Sequence, residues 1–193
     1  MKLENILEAK PFDDGLGGPN HDIPDEWFAW IGKHKATIGE IRPKAWSLEN
    51  GELSCLKTRV LELDNVTDET LPPFKLGSMG MVIFNKSCTF SDLSWLPTEA
   101  DRLSFNGAKV KSLKGLSKKC KLVNELVVSP YTESGLLEIF KLKELNKLIA
   151  FLTGGDDPHF PDAFSIVRDI WKSGGDALDA QFALQDAGLE RFQ

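Results

Sequence analysis

Side chains able to do chemistry are few in this chain, and they are scattered. His21, His34 and His159 are its only histidines. None stands four residues from another or beside a cysteine, the arrangements by which a helix or a ribbon grips zinc. Cys55, Cys88 and Cys120 lie far apart with no C-x-x-C pair, so they read as reduced, partly buried thiols and not as a disulfide framework. Asp156, Asp157 and His159 follow Gly154 and Gly155 and have the chemistry to hold a cation or phosphate, but no second acidic cluster completes a coordination shell. The simpler expectation is a turn whose aspartates accept from backbone donors ahead of a helix. Gly15-Leu16-Gly17-Gly18 lacks the preceding strand and the Lys-Ser/Thr of a phosphate loop, and no G-x-S-x-G phrase presents a serine nucleophile. The residues therefore predict no enzyme, no metal and no cofactor. The alternative is a hydrolase or nucleic-acid-acting enzyme whose site is assembled from distant acids and histidines.

With 41% hydrophobic and 27% charged residues, the chain has the balance of a globular domain and not of a disordered one. Its net charge is −6, yet residues 102–147 hold ten Lys and Arg against four Asp and Glu, while the flanks are acidic. Lys109, Lys111, Lys114, Lys118, Lys119 and Lys121 could meet phosphates. They are not interleaved with the aromatics that stack on bases, which argues against a nucleic-acid partner. No apolar run approaches the roughly 20 residues of a membrane-spanning helix, and Met1 to Ala9 carries no signal-type apolar stretch. A soluble, cytoplasmic protein is expected.

The elements that would position any site are announced by a repeat. Apolar pairs recur at Leu61 and Leu63, Val82 and Phe84, Leu103 and Phe105, Leu126 and Val128, and Leu148 and Ala150, at steps of 21 to 23 residues. That interval falls within the range of leucine-rich repeats, with Asn65, Asn85 and Asn106 near the position of the repeat asparagine. Leu93-Ser94-Trp95-Leu96 and Leu113-Lys114-Gly115-Leu116 form a second register of return segments, each about ten residues before the next strand. The fold class expected is α/β: a short leucine-rich-repeat-like solenoid with a small parallel sheet, an N-terminal helical cap and C-terminal helices.

Three regions follow. Residues 1–50 form an arm, a breaker-rich loop and a helical cap in which Trp27, Trp30 and Ile31 share a face. Residues 51–152 form the solenoid. Residues 153–193 form a C-terminal cap with helices at about 161–173 and 176–190. There Phe164, Val167, Ile170 and Trp171 make one stripe, Leu178, Phe182 and Leu189 another, and Asp176 the N-cap. Alternation turns two rows outward. One is Glu62, Ile83, Ser104, Val127 and Ile149; the next is Asp64, Asn85, Asn106, Ser129 and Phe151. These ten residues are the candidate binding face. The apolar members Ile83, Val127 and Ile149 call for a cover, either the C-terminal helices through Phe164, Trp171 or Phe182, or a partner protein. A partner is favoured, because the helices are needed to close the core behind Leu148.

Val110-Lys111-Ser112-Leu113-Lys114-Gly115-Leu116-Ser117-Lys118-Lys119, and Gly175-Asp176-Ala177-Leu178-Asp179-Ala180-Gln181 through Gln185-Asp186-Ala187-Gly188-Leu189-Glu190, resemble leucine-rich-repeat-like proteins of tailed bacteriophages. Those carry S-L-x-G-L/A-P-K-K turns and a closing helix of the form G-D-I-L-D-x-Q-x-x-L-x-x-A-G-L; here Ser117 replaces the usual proline. The resemblance covers roughly residues 90–193 and implies an origin and a scaffold without catalytic residues. It makes the expected function a non-enzymatic protein-binding scaffold. Its partner would be a virion component or a host factor, its place the infected cell's cytoplasm or the virion, and an oligomer is compatible with it. Ile6-Leu7-Glu8-Ala9 is similar to the short cleavage signal of phage head-maturation proteases, although Leu3, Ile6 and Leu7 also suit one face of an amphipathic helix.

Overall fold

The computed structural model describes residues 23–35, 46–55, 60–152 and 154–193. His21, the glycine-rich run at 15–18 and the segment around Glu8 lie outside the described residues. The first helix, α1 (Asp25–His34), opens on Asp25 and Glu26 and closes on Lys33 and His34, so each sign of charge sits at the end whose dipole favours it. Ile31 is fully buried, Trp27 and Trp30 half-buried. Trp30 donates Nε1–H to the Thr70 carbonyl at 2.8 Å, stacks on His34, and meets Phe74 and Trp95 edge-on.

β1 (Trp46–Glu49) and β2 (Glu52–Cys55) form an antiparallel hairpin. Its turn residues Asn50 and Gly51 have φ of 54° and 77°, the left-handed pair that a two-residue hairpin requires. This hairpin straddles residue 50, where the sequence places the end of the N-terminal region. β2 continues into a short parallel pairing with β4 (Lys75–Leu76).

The main sheet holds β3 (Val60–Leu63), β5 (Ser78–Phe84), β6 (Glu99–Ser104), β7 (Leu122–Val128) and β8 (Lys147–Ala150), all parallel and in that order. Leu61, Val82, Leu103, Leu126 and Leu148 stand side by side and are buried, in the register that the 21 to 23 residue steps predict. Leu63, Phe84, Phe105 and Val128 extend the buried face, and upstream Met79, Ala100 and Val123 make a further buried column. Two residues separate the first column from the second and one separates the second from the third, so the strand itself reads L-x-x-L-x-L.

Between strands the chain returns through segments whose Leu93, Leu96, Leu113 and Leu116 are buried. One includes the single-turn helix α2 (Leu116–Lys119), another a 3-10 helix at Leu136–Lys141. Backbone hydrogen bonds tie each return segment to its neighbour. On one side Thr89 N–H donates to Val66 O, Lys109 N–H to Cys88 O and Glu133 N–H to Lys111 O, at 2.7–2.8 Å. On the other, Thr98 N–H donates to Gly77 O, Lys121 N–H to Thr98 O and Lys143 N–H to Lys121 O, at 2.7–3.3 Å. Inside, Phe84 stacks on Phe105 at 5.6 Å, and Phe90 and Trp95 pack against Phe84 edge-on. Asn65, Asn85 and Asn106 do not enter the core: Asn85 Nδ2 donates to Glu62 Oε1, and Asn65 and Asn106 are exposed. Buried carbonyls are met instead by Cys88 Sγ on Leu63 O, Ser129 Oγ on Ala108 O and Thr132 Oγ1 on Val110 O, which spares them the cost of going unpaired.

α3 (Phe160–Lys172) and α4 (Ala177–Asp186) pack on each other and on the 3-10 helix. Asp176 caps α4, accepting from Leu178 and Asp179 N–H while the Asp179 carboxylate accepts from Asp176 N–H, a reciprocal box that satisfies otherwise orphaned donors. α3 buries Phe160, Ala163, Phe164 and Val167, with Ile170 and Trp171 half-buried. The second predicted stripe needs correcting. α4 buries Ala180 and Leu184, continued by Leu189 and Phe192, whereas Leu178 and Phe182 are 54% and 56% exposed. Residues 180 and 184 lie about half a turn away from 178 and 182, so the buried face is the opposite one. Among the described residues no helix is long and apolar enough to cross a membrane.

Leu103→Ala or Leu126→Ala removes a fully buried side chain and should cost about 2–5 kcal/mol. Leu178→Ala, on the exposed face, should change stability by no more than about 0.5 kcal/mol. Urea denaturation of the three variants is the check, and equal small losses would contradict the packing.

Candidate binding face

Alternation gives the parallel sheet an outer side as well as a buried one. Glu62, Ile83, Ser104, Val127 and Ile149 form one continuous paired row on it, as the sequence predicts. Their exposure is uneven: Glu62, Ile83 and Ile149 are half-buried, but Ser104 and Val127 are 0% exposed. The middle of the row is therefore closed within the chain and offers no contact surface. Val127 is already buried within the chain and Phe182 is exposed, so at Val127 the row needs no partner as its cover, although the sequence favours one, and Phe182 is not what buries it.

The second predicted row lies just past the strand ends. Ser129 is fully buried, its hydroxyl donating inward to Ala108 O and accepting from Tyr131 N–H, so it leaves the candidate face. Asp64 accepts from Ser87 Oγ at 2.7 Å, Asn85 reaches Glu62, Asn106 is exposed and Phe151 is 48% exposed.

A row one step upstream went unread in the sequence: Val60, Met81, Arg102, Glu125 and Lys147, paired strand to strand. The same alternation, extended two residues back along each strand, would have found it. Val60 and Met81 are 47% and 38% exposed, an apolar pair on adjacent strands. Beyond them Glu125 sits between two cations, Oε1 at 3.5 Å from Arg102 Nε and Oε2 at 3.3 Å from Lys147 Nζ. The face thus has an apolar end on β3 and β5 and a charge-matched end on β7 and β8.

The other chemical candidates resolve as local structure. His34 is buried, Nδ1 lying 3.1 Å from Asp64 O, and neither it nor His159 bonds a hydroxyl or thiol of a described residue. Asp157 Oδ1 accepts from His159 N–H, and its two oxygens are gripped by Arg191 at 2.7 and 2.8 Å, which is the expected aspartate turn ahead of a helix. Cys88 and Cys120 are buried; burial pushes both thiols up, Cys120 to about 12. A shallow groove at the starts of β5, β6 and β7 is lined by Ser78, Glu99, Asp101, Asn124 and Glu144, but among the described residues no three His, Cys, Asp or Glu side chains converge on a point where an ion would sit. The basic segment is matched by acids in part: Lys111 by Glu133 at 3.0 Å, Lys119 by Glu52 at 2.7 Å and Lys141 by Glu138 at 2.6 Å, while Lys109 lies over the Tyr131 ring and Lys114, Lys118 and Lys121 are exposed.

Burial pushes the Glu138 carboxyl up, but hydrogen bonds from Lys141 and from the Ser117 hydroxyl and N–H outweigh it and hold the group below its ordinary 4.5. A depressed carboxyl stabilises the fold above the unfolded-state value and loses that contribution as pH falls through the folded one. Glu138→Gln should therefore cost about 1–2 kcal/mol at pH 7, and its deficit against the parent should shrink as pH drops below 4.5. Urea titrations at a series of pH values measure both. Ser104 yields a second expectation, since its buried hydroxyl has no hydrogen-bond partner among the described residues. Ser104→Ala should be neutral or stabilising, whereas Ser104→Leu should cost about 1–3 kcal/mol by overpacking; thermal melts distinguish them.

No family model, curated protein or solved structure matches the chain.

Proposed function

We propose that the chain is a short leucine-rich-repeat-like solenoid, non-enzymatic and of phage derivation, that binds another protein through the β3 and β5 end of its outer sheet face. The single observation that carries the reading is that neighbouring segments from Val60 to Ala150 bond to one another at a spacing of about one repeat. Strand pairs, both ladders of return-segment hydrogen bonds and the inward Ser129 and Thr132 bonds join residues 21 to 23 apart. Contacts that recur at a near-constant interval support a stacked-repeat architecture, whose characteristic use is an extended binding surface. The phage origin rests on the resemblance of residues 90–193, and with it the place of action, in the infected cell or in the virion.

Within the face, Val60, Met81 and Ile83 form the contact surface, with Glu62 and Asp64 at its margin. An apolar patch rimmed by polar groups is the usual anatomy of a protein interface. On the β7 and β8 side Glu125 already lies between Arg102 and Lys147, which makes that end polar and not apolar.

Affinity capture from phage-infected cells tests the reading. The parent chain and Leu178→Glu should retain the same protein, and Met81→Glu should weaken its binding at least tenfold, about 1.4 kcal/mol. Identical capture by all three discards the face. Mass spectrometry of purified particles then assigns the partner: stoichiometric presence of the chain marks a virion component, absence a host factor.

A further inference from the structure

The two edges of the five-stranded sheet, β3 and β8, are finished differently. At β3, Lys35 bridges Leu63 in antiparallel fashion and Asp64 N–H donates to His34 O at 2.7 Å, so the chain leaving α1 covers that edge. Along the outer side of β8 no described residue pairs. Asn146 N–H donates to Asn124 O at 2.9 Å. Alternation then turns the backbone groups of Leu148 and Ala150 towards β7, and those of Lys147, Ile149 and Phe151 away from the sheet. The segment after β8 does not run back along this edge. Gly155 lies so close to Pro130, just beyond β7, that a Cβ would collide with the Pro130 carbonyl.

The side chains at this edge suit coverage. Leu148-Ile149-Ala150-Phe151-Leu152 contains no proline or glycine, Ile149 is half-buried, and Phe151 and Leu152 are 48% and 43% exposed. Natural sheets seldom leave such an edge bare. We propose that a second copy of this chain covers it, the two β8 strands pairing antiparallel about a two-fold axis at Ile149, so that one sheet runs through both molecules.

Only outward-facing residues can make the hydrogen-bonded pairs of an antiparallel ladder. Ile149 therefore meets the partner's Ile149, and Lys147 meets the partner's Phe151. One feature favours a second copy over an unrelated strand: self-pairing keeps the two Lys147 ammonium groups apart and sets each beside the aromatic ring of the partner's Phe151. The inference is independent of the surface at Val60 and Met81, which lies at the other end of the sheet.

Light scattering on the full chain over a concentration series up to about 100 μM should show the mass rise to twice 21.5 kDa. Phe151→Lys sets a cation against the partner's Lys147 and should weaken dimerisation at least tenfold, with the circular dichroism of the parent retained. Ile149→Cys, in a chain whose native cysteines are buried, should give a cross-linked dimer with a short bis-maleimide, and Val60→Cys should not. This second readout decides the matter if Phe151→Lys fails to fold. A parent chain that stays at 21.5 kDa, a folded Phe151→Lys that dimerises like the parent, or an Ile149→Cys that does not cross-link overturns the proposal.

Discussion

No strand of this chain can bury its own apolar side, and that constraint shapes everything else. Four to seven residues of strand with one return segment leave a thin wedge of leucine and phenylalanine open on both flanks. Only a neighbour in register closes it. The register is held twice over: by the column Leu61, Val82, Leu103, Leu126 and Leu148, and by backbone hydrogen bonds along the strands and the return segments. A slip of one residue would turn each apolar column outward. The ends of the stack then need different material. At the first edge the tryptophans of α1, with Phe74 and Trp95, make the closure. At the far end Phe160, Phe164 and Val167 of α3 and Leu184 and Phe192 beyond it are buried.

Polar groups follow the same geometry. Where return segments bury carbonyls, small donors at Cys88, Ser129 and Thr132 reach the segment one step behind. Where a carboxylate is half-hidden, it is gripped from its neighbour, as Glu138 is by Ser117 and Glu125 by Arg102 and Lys147. Five of the ten cations between residues 102 and 147 are thereby met by carboxylates.

Much of the architecture could be read from residue types because strand alternation and one-repeat spacing are strong signals: the strand register, the buried return leucines, the helix at Asp25 and the Asp176 cap all stand where the sequence puts them. The failures have local causes. The Asn50-Gly51 dipeptide is a sharp turn signal, but its antiparallel hairpin precedes the first repeated strand, so the 21 to 23 residue spacing does not announce it. In α4 the larger apolar residues Leu178 and Phe182 outweighed Ala180 and Leu184 in defining a stripe, yet small residues suit a helix packed tightly against another. The burial of Ser104 and Val127 depends on what surrounds them in three dimensions, which alternation cannot weigh. Ser129 follows the last strand residue, where alternation has already lapsed.

The pairing of Lys119 with Glu52 spans 67 residues, three times the interval of the contacts beneath it. Contacts of near-constant loop length close at similar entropic cost, so assembly by accretion, each segment growing on the last like a crystal layer, meets no outsized closure penalty at any one step. Glu52 lies in the hairpin at one end of that growth and Lys119 well along it. Closing that longer loop at once costs more than closing one interval, so their meeting is favoured once the intervening layers are in place. The bond therefore acts as a late latch: it adds little to the speed of folding but slows the first step of unravelling, because peeling the hairpin away must break a contact anchored three layers deep.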